Sequence, residues 1–223
     1  MFNIRSSLLL EKLFLYLCMN STEIFNATTA AKELENVSVA TVENYLEALK
    51  MSNLIYLAKP MNVGSKGALK GKPKIFIADA AIRNAVLMID DILSDEKELG
   101  VAVETAVYKH MVSFYQGSTA QIGYFRKAKD NQKEVDVVVQ LPREEILCEV
   151  KYRSNSHIPA TDAIVELCQD EGAKITSAFL ITKRLDDFGI TKHETATPIL
   201  RVPALAFLYL LGKMEAEGRN GKI

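Results

Sequence analysis

Hydrophobic residues recur at helical spacing in the first fifty residues and at strand spacing in the next thirty. Ser38 is placed to cap the third helical segment, and either Thr28 or Thr29 is placed to cap the second. The pattern predicts helices over 6–19, 28–34 and 38–51, a short extended segment at 24–26, and strands at 54–57 and 74–78. This is the order of a winged helix-turn-helix domain, which we expect over residues 1–78.

The rest of the chain mixes both spacings. Residues 79–97 are predicted to form a helical connector that becomes acidic from Asp90 to Glu98. Beyond it the pattern predicts a helix at 99–116, strands at 121–127, 133–140 and 145–152, a helix at 160–171, a strand at 175–182, and a strand followed by a helix at 198–211. We therefore expect an α/β (α+β) sandwich with a mixed central sheet over residues 98–211, and a flexible tail over 212–223.

Charged residues interrupt two of the apolar strands. Strict alternation places Asp136 and Val138 on one side of the middle strand, with the three neighbouring valines 135, 137 and 139 on the other. In the third strand, Glu149 and Lys151 share one side. Asp136, Glu149 and Lys151 are therefore expected to converge on one face, where charges are unfavourable unless they are paired or bind a metal.

This trio suits phosphodiester hydrolysis. Asp136 and Glu149 supply hard oxygen ligands for Mg²⁺ or Mn²⁺, and a bound metal lowers the pKa of its water. Lys151 is placed to orient the water or to stabilise the transition state. Glu104, at the edge of the apolar stripe of the long helix, is placed to extend the metal shell. The predicted catalytic residues are Lys151, Asp136, Glu149 and Glu104, and the last three are the predicted metal ligands. The alternative is that Asp136 and Lys151 form a structural salt bridge.

The spacing of these residues resembles the PD-(D/E)xK nuclease signature. Asp136 is followed by twelve residues and then by Glu149-Val150-Lys151, although Val135 stands where the signature has proline. Residues 26–182 are similar to the C-terminal region of a family of bacterial and archaeal AAA-type ATPases. The similarity lies in segments 72–79, 124–127, 133–139 and 149–152. It implies a winged helix followed by a domain of unknown function with a restriction-endonuclease-like fold.

The ATPase domain of that family is absent from these residues. Gly67 to Lys72 superficially resembles a phosphate-binding loop, but only three residues separate Gly67 from Gly71, and Pro73 replaces the required Ser or Thr. No ATP site is expected in this chain. The chain is therefore expected to be either a fragment of such an ATPase or a stand-alone relative, for which an ATPase partner chain is possible.

DNA is the expected nucleic-acid partner, through local rather than overall charge. The net charge is −1, but residues 1–78 carry nine Lys/Arg against six Asp/Glu, and the remainder is acidic. The candidate recognition helix carries Glu43 and Glu47 against Lys50 alone. The hairpin loop instead holds lysines with no acid between them, predicted to contact phosphates: Lys59, Lys66, Lys70, Lys72 and Lys74.

The remaining composition is typical of a cytoplasmic protein. Three widely spaced cysteines lie in apolar segments, as expected of free buried thiols. No apolar run approaches the ~20 residues of a membrane helix. The expected function is a DNA-binding, metal-dependent nuclease-like module. The alternative is a catalytically inactive nuclease-fold adaptor that binds DNA or a protein partner through its winged helix.

Overall fold

The computed structural model describes residue 4 and residues 6–64, 71–127, 133–170 and 174–218. The N-terminal elements are α1 (Ser7–Met19), α2 (Ala27–Glu33), α3 (Val39–Met51), β1 (Ile55–Pro60) and β2 (Lys74–Ile77). The next are α4 (Ala80–Leu87), a short 3-10 helix (Ile92–Ser94), α5 (Glu96–Phe114), β3 (Gln121–Arg126), β4 (Glu134–Gln140) and β5 (Glu145–Lys151). The last are α6 (Ala163–Cys168), β6 (Ile175–Thr182), β7 (Gly189–Ile190), β8 (Ile199–Pro203) and α7 (Ala204–Ala216).

The N-terminal helices begin at side-chain caps. The Ser38 hydroxyl accepts a hydrogen bond from the Thr41 backbone N–H at 3.1 Å, which confirms the predicted cap of α3. The predicted cap of α2 was wrong. Asn26 caps this helix, because its side-chain oxygen accepts the backbone N–H groups of Thr28 at 3.0 Å and Thr29 at 3.4 Å. Both threonines therefore lie inside the first turn. The cap lies two or three residues earlier than the pattern suggested.

One mixed sheet runs through the whole molecule, in the strand order β2-β1-β3-β4-β5-β6-β8-β7. β1 and β2 form an antiparallel hairpin, and the end of β1 also pairs parallel to β3 through Lys59 opposite Gly123. β3, β4 and β5 are antiparallel neighbours, whereas β5, β6 and β8 are parallel. The predicted mixed sheet is confirmed, and the N-terminal hairpin is part of it.

Gly123 makes the junction between β1 and β3 possible. A Cβ atom at this position would lie 2.1 Å from the Lys59 carbonyl oxygen and 2.7 Å from the Met61 side chain. No larger residue fits without moving the backbone of β1 away from β3, so a glycine is needed where two backbones approach this closely. This junction fixes the position of the hairpin relative to the carboxylates of β4.

Helices cover the sheet on both faces. α5 and α7 pack on one face, where Tyr108, Met111 and Phe207 meet the buried side chains of β4 and β5. α6 packs on the other face with Ile164 and Val165. α7 continues to Ala216, so the predicted tail is helical at its start. No helix in the described part of the chain is long and apolar enough to cross a membrane.

β4 does not follow the strict alternation expected from its sequence. Val135 and Val138 pack together on the α6 face, while Val137 and Val139 pack on the α5 face. The reason is a β-bulge. Phe125 pairs with Val135, but Gly123 pairs with Val138. Between these two pairs β4 advances by three residues and β3 by two, so β4 contains one extra residue. The bulge turns Asp136 away from the side that Val138 occupies, contrary to the prediction.

Candidate active site

Asp136 lies where β4 and β5 separate. The paired register of the two strands ends at Val137 opposite Cys148. Beyond that pair, the Val150 backbone N–H donates to Asp136 Oδ2 at 2.9 Å. The carboxylate therefore takes the place of a backbone acceptor, which fixes it in the opening between the strands.

Glu149 and Lys151 project together from the end of β5, as predicted. Glu149 is 3% exposed, and its Oε1 forms an ion pair with the Lys151 ammonium. Its other oxygen, Oε2, is buried and has no hydrogen-bond partner among the described residues. Burial, with the nearby Asp136 carboxylate, raises the pKa of Glu149 well above its ordinary value.

Asp162 holds Lys151 from the other side. It is the N-cap of α6, and its Oδ2 lies 4.0 Å from Lys151 Nζ. Burial alone would lower the pKa of Lys151, but Glu149 and Asp136 outweigh it and raise the pKa. The ammonium therefore stays protonated and points at the carboxylates.

Lys74 is buried at the centre of a second group of carboxylates. Its Nζ lies 2.6 Å from Glu104 Oε1, 2.6 Å from Glu134 Oε1 and 3.1 Å from Asp136 Oδ1. Only 2% of the residue is exposed. Burial would lower the pKa of Lys74, but Glu104 and Asp136 raise it well above its ordinary value. The prediction that Lys74 contacts DNA was therefore wrong, because the side chain points into the protein.

The same contacts give Glu104 a partner that the sequence did not predict. Glu104 comes from α5 and reaches the sheet, but its nearest cation is the Lys74 ammonium. Burial raises the pKa of Glu104 to about 8, although Lys74 opposes the shift. We therefore place Glu104 beside the site as a partner of Lys74.

The combined site has more acids than bases. It holds five carboxylates, on Glu104, Glu134, Asp136, Glu149 and Asp162, and three cations, on Lys74, Arg126 and Lys151. The formal charge is −2. Two protons would neutralise it, consistent with the raised pKa values of Glu104 and Glu149. One divalent cation would do the same, so the charge of the site fits either occupant.

The carboxylate oxygens are spaced for an ammonium. Within the described ranges, no three Asp, Glu, His or Cys side chains are arranged as a metal site. The oxygens around Lys74 lie 2.6 to 3.1 Å from its nitrogen, whereas Mg²⁺ requires about 2.0–2.1 Å. Glu149 has a buried oxygen, Oε2, with no hydrogen-bond partner among the described residues. Glu149 and Asp136 are therefore the pair that fits a metal best.

Four residues of this site were missed by the sequence reasoning. Arg126 and Glu134 pair across β3 and β4, and a strand pairing would have suggested them. Asp162 precedes an apolar run, which is a helix-cap signal. Lys74 gave no local signal, because 62 residues separate it from Asp136 along the chain.

The remaining predicted DNA contacts divide in two. Lys59 and Lys72 are exposed at the hairpin. Lys66 and Lys70 lie outside the described residues, as does most of the segment compared with a phosphate loop. On α3, Lys50 is paired with Glu47 at 2.9 Å, so the helix presents little free positive charge.

A cleft of about 640 Å³ begins three residues after Lys151. It does not include the carboxylates themselves, and its walls come from the segments that follow β5, β6 and β7. Arg201 of β8 lines the cleft. In the sheet, Arg201 lies opposite Leu180 of β6, and Leu180 lies opposite Glu149 of β5. The cleft is therefore about two strand spacings, roughly 10 Å, from Glu149.

Two family models match the chain. Residues 1–92 match a domain of unknown function (DUF8612), and residues 99–202 match another domain of unknown function (DUF4143). The second is known in contexts associated with AAA-type ATPases. No curated protein matches the chain significantly. Asp136, Glu149 and Lys151 lie in the second matched span and Lys74 lies in the first, so both spans contribute to the site.

Proposed function

We propose that this chain is a DNA-binding, metal-dependent nuclease-type module that hydrolyses phosphodiester bonds. The observation that carries the proposal is the arrangement of Asp136, Glu149 and Lys151 at the opening between β4 and β5. Two carboxylates and one ammonium meet there, Glu149 Oε2 is buried with no partner among the described residues, and the larger group of five carboxylates and three cations around them holds a formal charge of −2. This is the composition that a divalent cation and a phosphate would complete.

The order of elements supports the two folds this function implies. The three helices followed by the β1–β2 hairpin are consistent with a winged helix-turn-helix. A long helix, three antiparallel strands, a helix and a parallel strand are consistent with a restriction-endonuclease-like core. The domain family matched by residues 99–202 is known in contexts associated with AAA-type ATPases, so an ATPase domain or partner chain is part of this proposal.

Asp136 and Glu149 would hold a Mg²⁺ or Mn²⁺ ion. When bound, such an ion supplies a water of lowered pKa and offsets the charge of the phosphate. Lys151 would donate to a phosphate oxygen or to the attacking water, because Glu149 and Asp162 hold its ammonium at the site edge. Glu104 and Lys74 would keep Asp136 in position.

DNA would first meet the hairpin. Lys59 and Lys72 are exposed there, in the positively charged segment 1–78. Helix α3 is a poor surface for phosphates, because Glu43 is exposed and Lys50 is already paired with Glu47. Contacts of this kind position a duplex without reading its sequence.

A second candidate function has one specific observation in its favour. Lys74 already provides a cation to Asp136, and a site with a permanent internal cation needs no metal. The chain would then be a catalytically inactive nuclease-fold adaptor that binds DNA or a protein partner. This candidate predicts DNA binding without cleavage.

The test is cleavage of plasmid and single-stranded DNA with Mg²⁺ or Mn²⁺. Wild type should cleave, and Asp136→Asn, Glu149→Gln and Lys151→Met should each reduce the rate by roughly a hundredfold or more. Glu43→Gln removes an exposed carboxylate far from the site and should keep full activity. Equal cleavage by all variants would contradict the assignment. Binding without cleavage by wild type would favour the adaptor.

A further inference from the structure

We infer that Lys74 is an internal cation that competes with a divalent metal for Asp136 and so sets the metal affinity of the site. This inference rests on the proposed metal site and concerns a residue from outside the nuclease-like part of the chain. Lys74 belongs to the first matched span, whereas the carboxylates that surround it belong to the second.

The ammonium of Lys74 contacts three carboxylates. It donates hydrogen bonds to Glu134 and Asp136 and forms an ion pair with Glu104, and all three oxygens lie within 3.1 Å of its nitrogen. Its backbone is also anchored on both sides, because Lys74 pairs with Ala58 of β1 and forms a bridge with Ile24. The cation is therefore a fixed part of the site.

Asp136 has no oxygen to spare in this arrangement. Oδ1 contacts Lys74 at 3.1 Å, and Oδ2 accepts the Val150 N–H at 2.9 Å. A metal that ligates Asp136 must therefore share or displace one of these partners. It must also approach a fixed positive charge in a largely buried site, where repulsion is weakly screened. Both effects weaken metal binding while Lys74 is in place.

Removal of Lys74 would reverse both effects. Glu104, Glu134 and Asp136 would keep their positions around the vacated centre, and only Glu134 would retain another cation, Arg126. Three converging carboxylates are a hard-ligand set of the type that Mn²⁺ and Mg²⁺ prefer. A neutral side chain at position 74 should therefore strengthen metal binding.

The experiment measures Mn²⁺ binding to the full chain by isothermal titration calorimetry. Lys74→Met should lower the Kd by roughly tenfold or more, a coupling of ordinary size between two interacting sites. Lys32→Met is the matched control, because Lys32 is an exposed lysine of α2, and the Kd of this variant should equal that of wild type. A Lys74→Met protein that melts cooperatively and binds Mn²⁺ with the wild-type Kd, or more weakly, would overturn the inference.

A double variant that keeps the net charge unchanged guards against misfolding of Lys74→Met. Lys74→Met combined with Glu104→Gln removes one charge of each sign, and it should bind Mn²⁺ more tightly than Glu104→Gln alone. Equal affinity of this pair would also overturn the inference.

The outcomes separate this inference from the proposed function. If wild type binds Mn²⁺, Glu149→Gln abolishes binding and Lys74→Met changes nothing, only the inference fails. If wild type binds no Mn²⁺ but Lys74→Met does, Lys74 excludes the metal, and the adaptor function is favoured instead. If neither protein binds Mn²⁺, both proposals fail.

Discussion

Replacement of Glu149 by glutamine should change how the stability of the protein depends on pH. The pKa of Glu149 is raised in the folded protein, by burial first and by Asp136 second. Above the ordinary value of 4.5, the unfolded chain has released this proton while the folded chain still holds it. The free energy of unfolding of wild type should therefore fall as pH rises from about 4.5 toward the folded pKa. Glutamine has nearly the same shape and no proton to lose.

The size of the effect follows from linkage. Each pH unit within this window costs wild type at most about 1 kcal/mol at Glu149. Over two pH units this upper limit is a large fraction of a typical stability of about 5–15 kcal/mol. Glu104, whose pKa burial raises to about 8, adds a loss of the same sign and remains in the variant. Glu149→Gln should therefore reduce the slope without abolishing it.

Urea unfolding followed by circular dichroism, in EDTA at about pH 6, 7 and 8, measures this slope. The free energy of unfolding of Glu149→Gln should increase relative to that of wild type with each increase in pH. Glu43→Gln, an exposed carboxylate on α3, should follow wild type throughout. A constant difference between Glu149→Gln and wild type across these pH values would refute the reasoning, because it would mean that Glu149 titrates alike in the folded and unfolded chains.

Three further predictions concern other parts of the molecule. Gly123→Ala should destabilise the protein by about 3 kcal/mol or more, because the added Cβ would clash with the Lys59 carbonyl oxygen. Gly100→Ala is the control: a Cβ there would have nothing within 4 Å, so its melting temperature should be near that of wild type. The double change of Lys59 and Lys72 to alanine should weaken DNA binding and reduce the salt dependence of log K by about two units, and an unchanged slope would count against phosphate contact there. The three buried cysteines, whose pKa values burial raises, should react with Ellman's reagent only after unfolding, and rapid reaction of the native protein would contradict their burial.

Local patterns predicted most of the elements and the placement of Glu149 and Lys151 on one side of β5. In β5 the alternation holds, because its register to β4 and β6 keeps Leu147 and Glu149 on one side and Cys148 on the other. In β4 it fails at the bulge, because an extra residue inserted opposite β3 cannot be read from the spacing of apolar residues. The two-residue β7 was missed for a related reason, since both residues are exposed and leave no pattern.

The role of Lys74 could not be predicted from the sequence. A lysine in a glycine-rich basic segment is typical of an exposed loop, and its neighbour Lys72 is indeed exposed. Lys74 is buried because β2 pairs with β1, and β1 pairs with β3 at Gly123, which brings the hairpin beside β4. Only that long-range arrangement places its ammonium next to Asp136 and Glu104. The cation beside Asp136 was therefore missed, although three of the acids, Glu104, Asp136 and Glu149, were predicted.

The most direct test of the proposed hydrolysis is the rate at which a labelled DNA duplex is cleaved in Mn²⁺ by wild type and by Lys151→Met. Both proteins should first be saturated with Mn²⁺, because the Lys151 ammonium is paired with Glu149 and its removal should change the metal affinity. Wild type should cleave, and Lys151→Met should be slower by roughly a hundredfold or more. Equal rates in the two proteins, or no cleavage by wild type with its metal bound, would contradict a phosphodiester site at Asp136, Glu149 and Lys151.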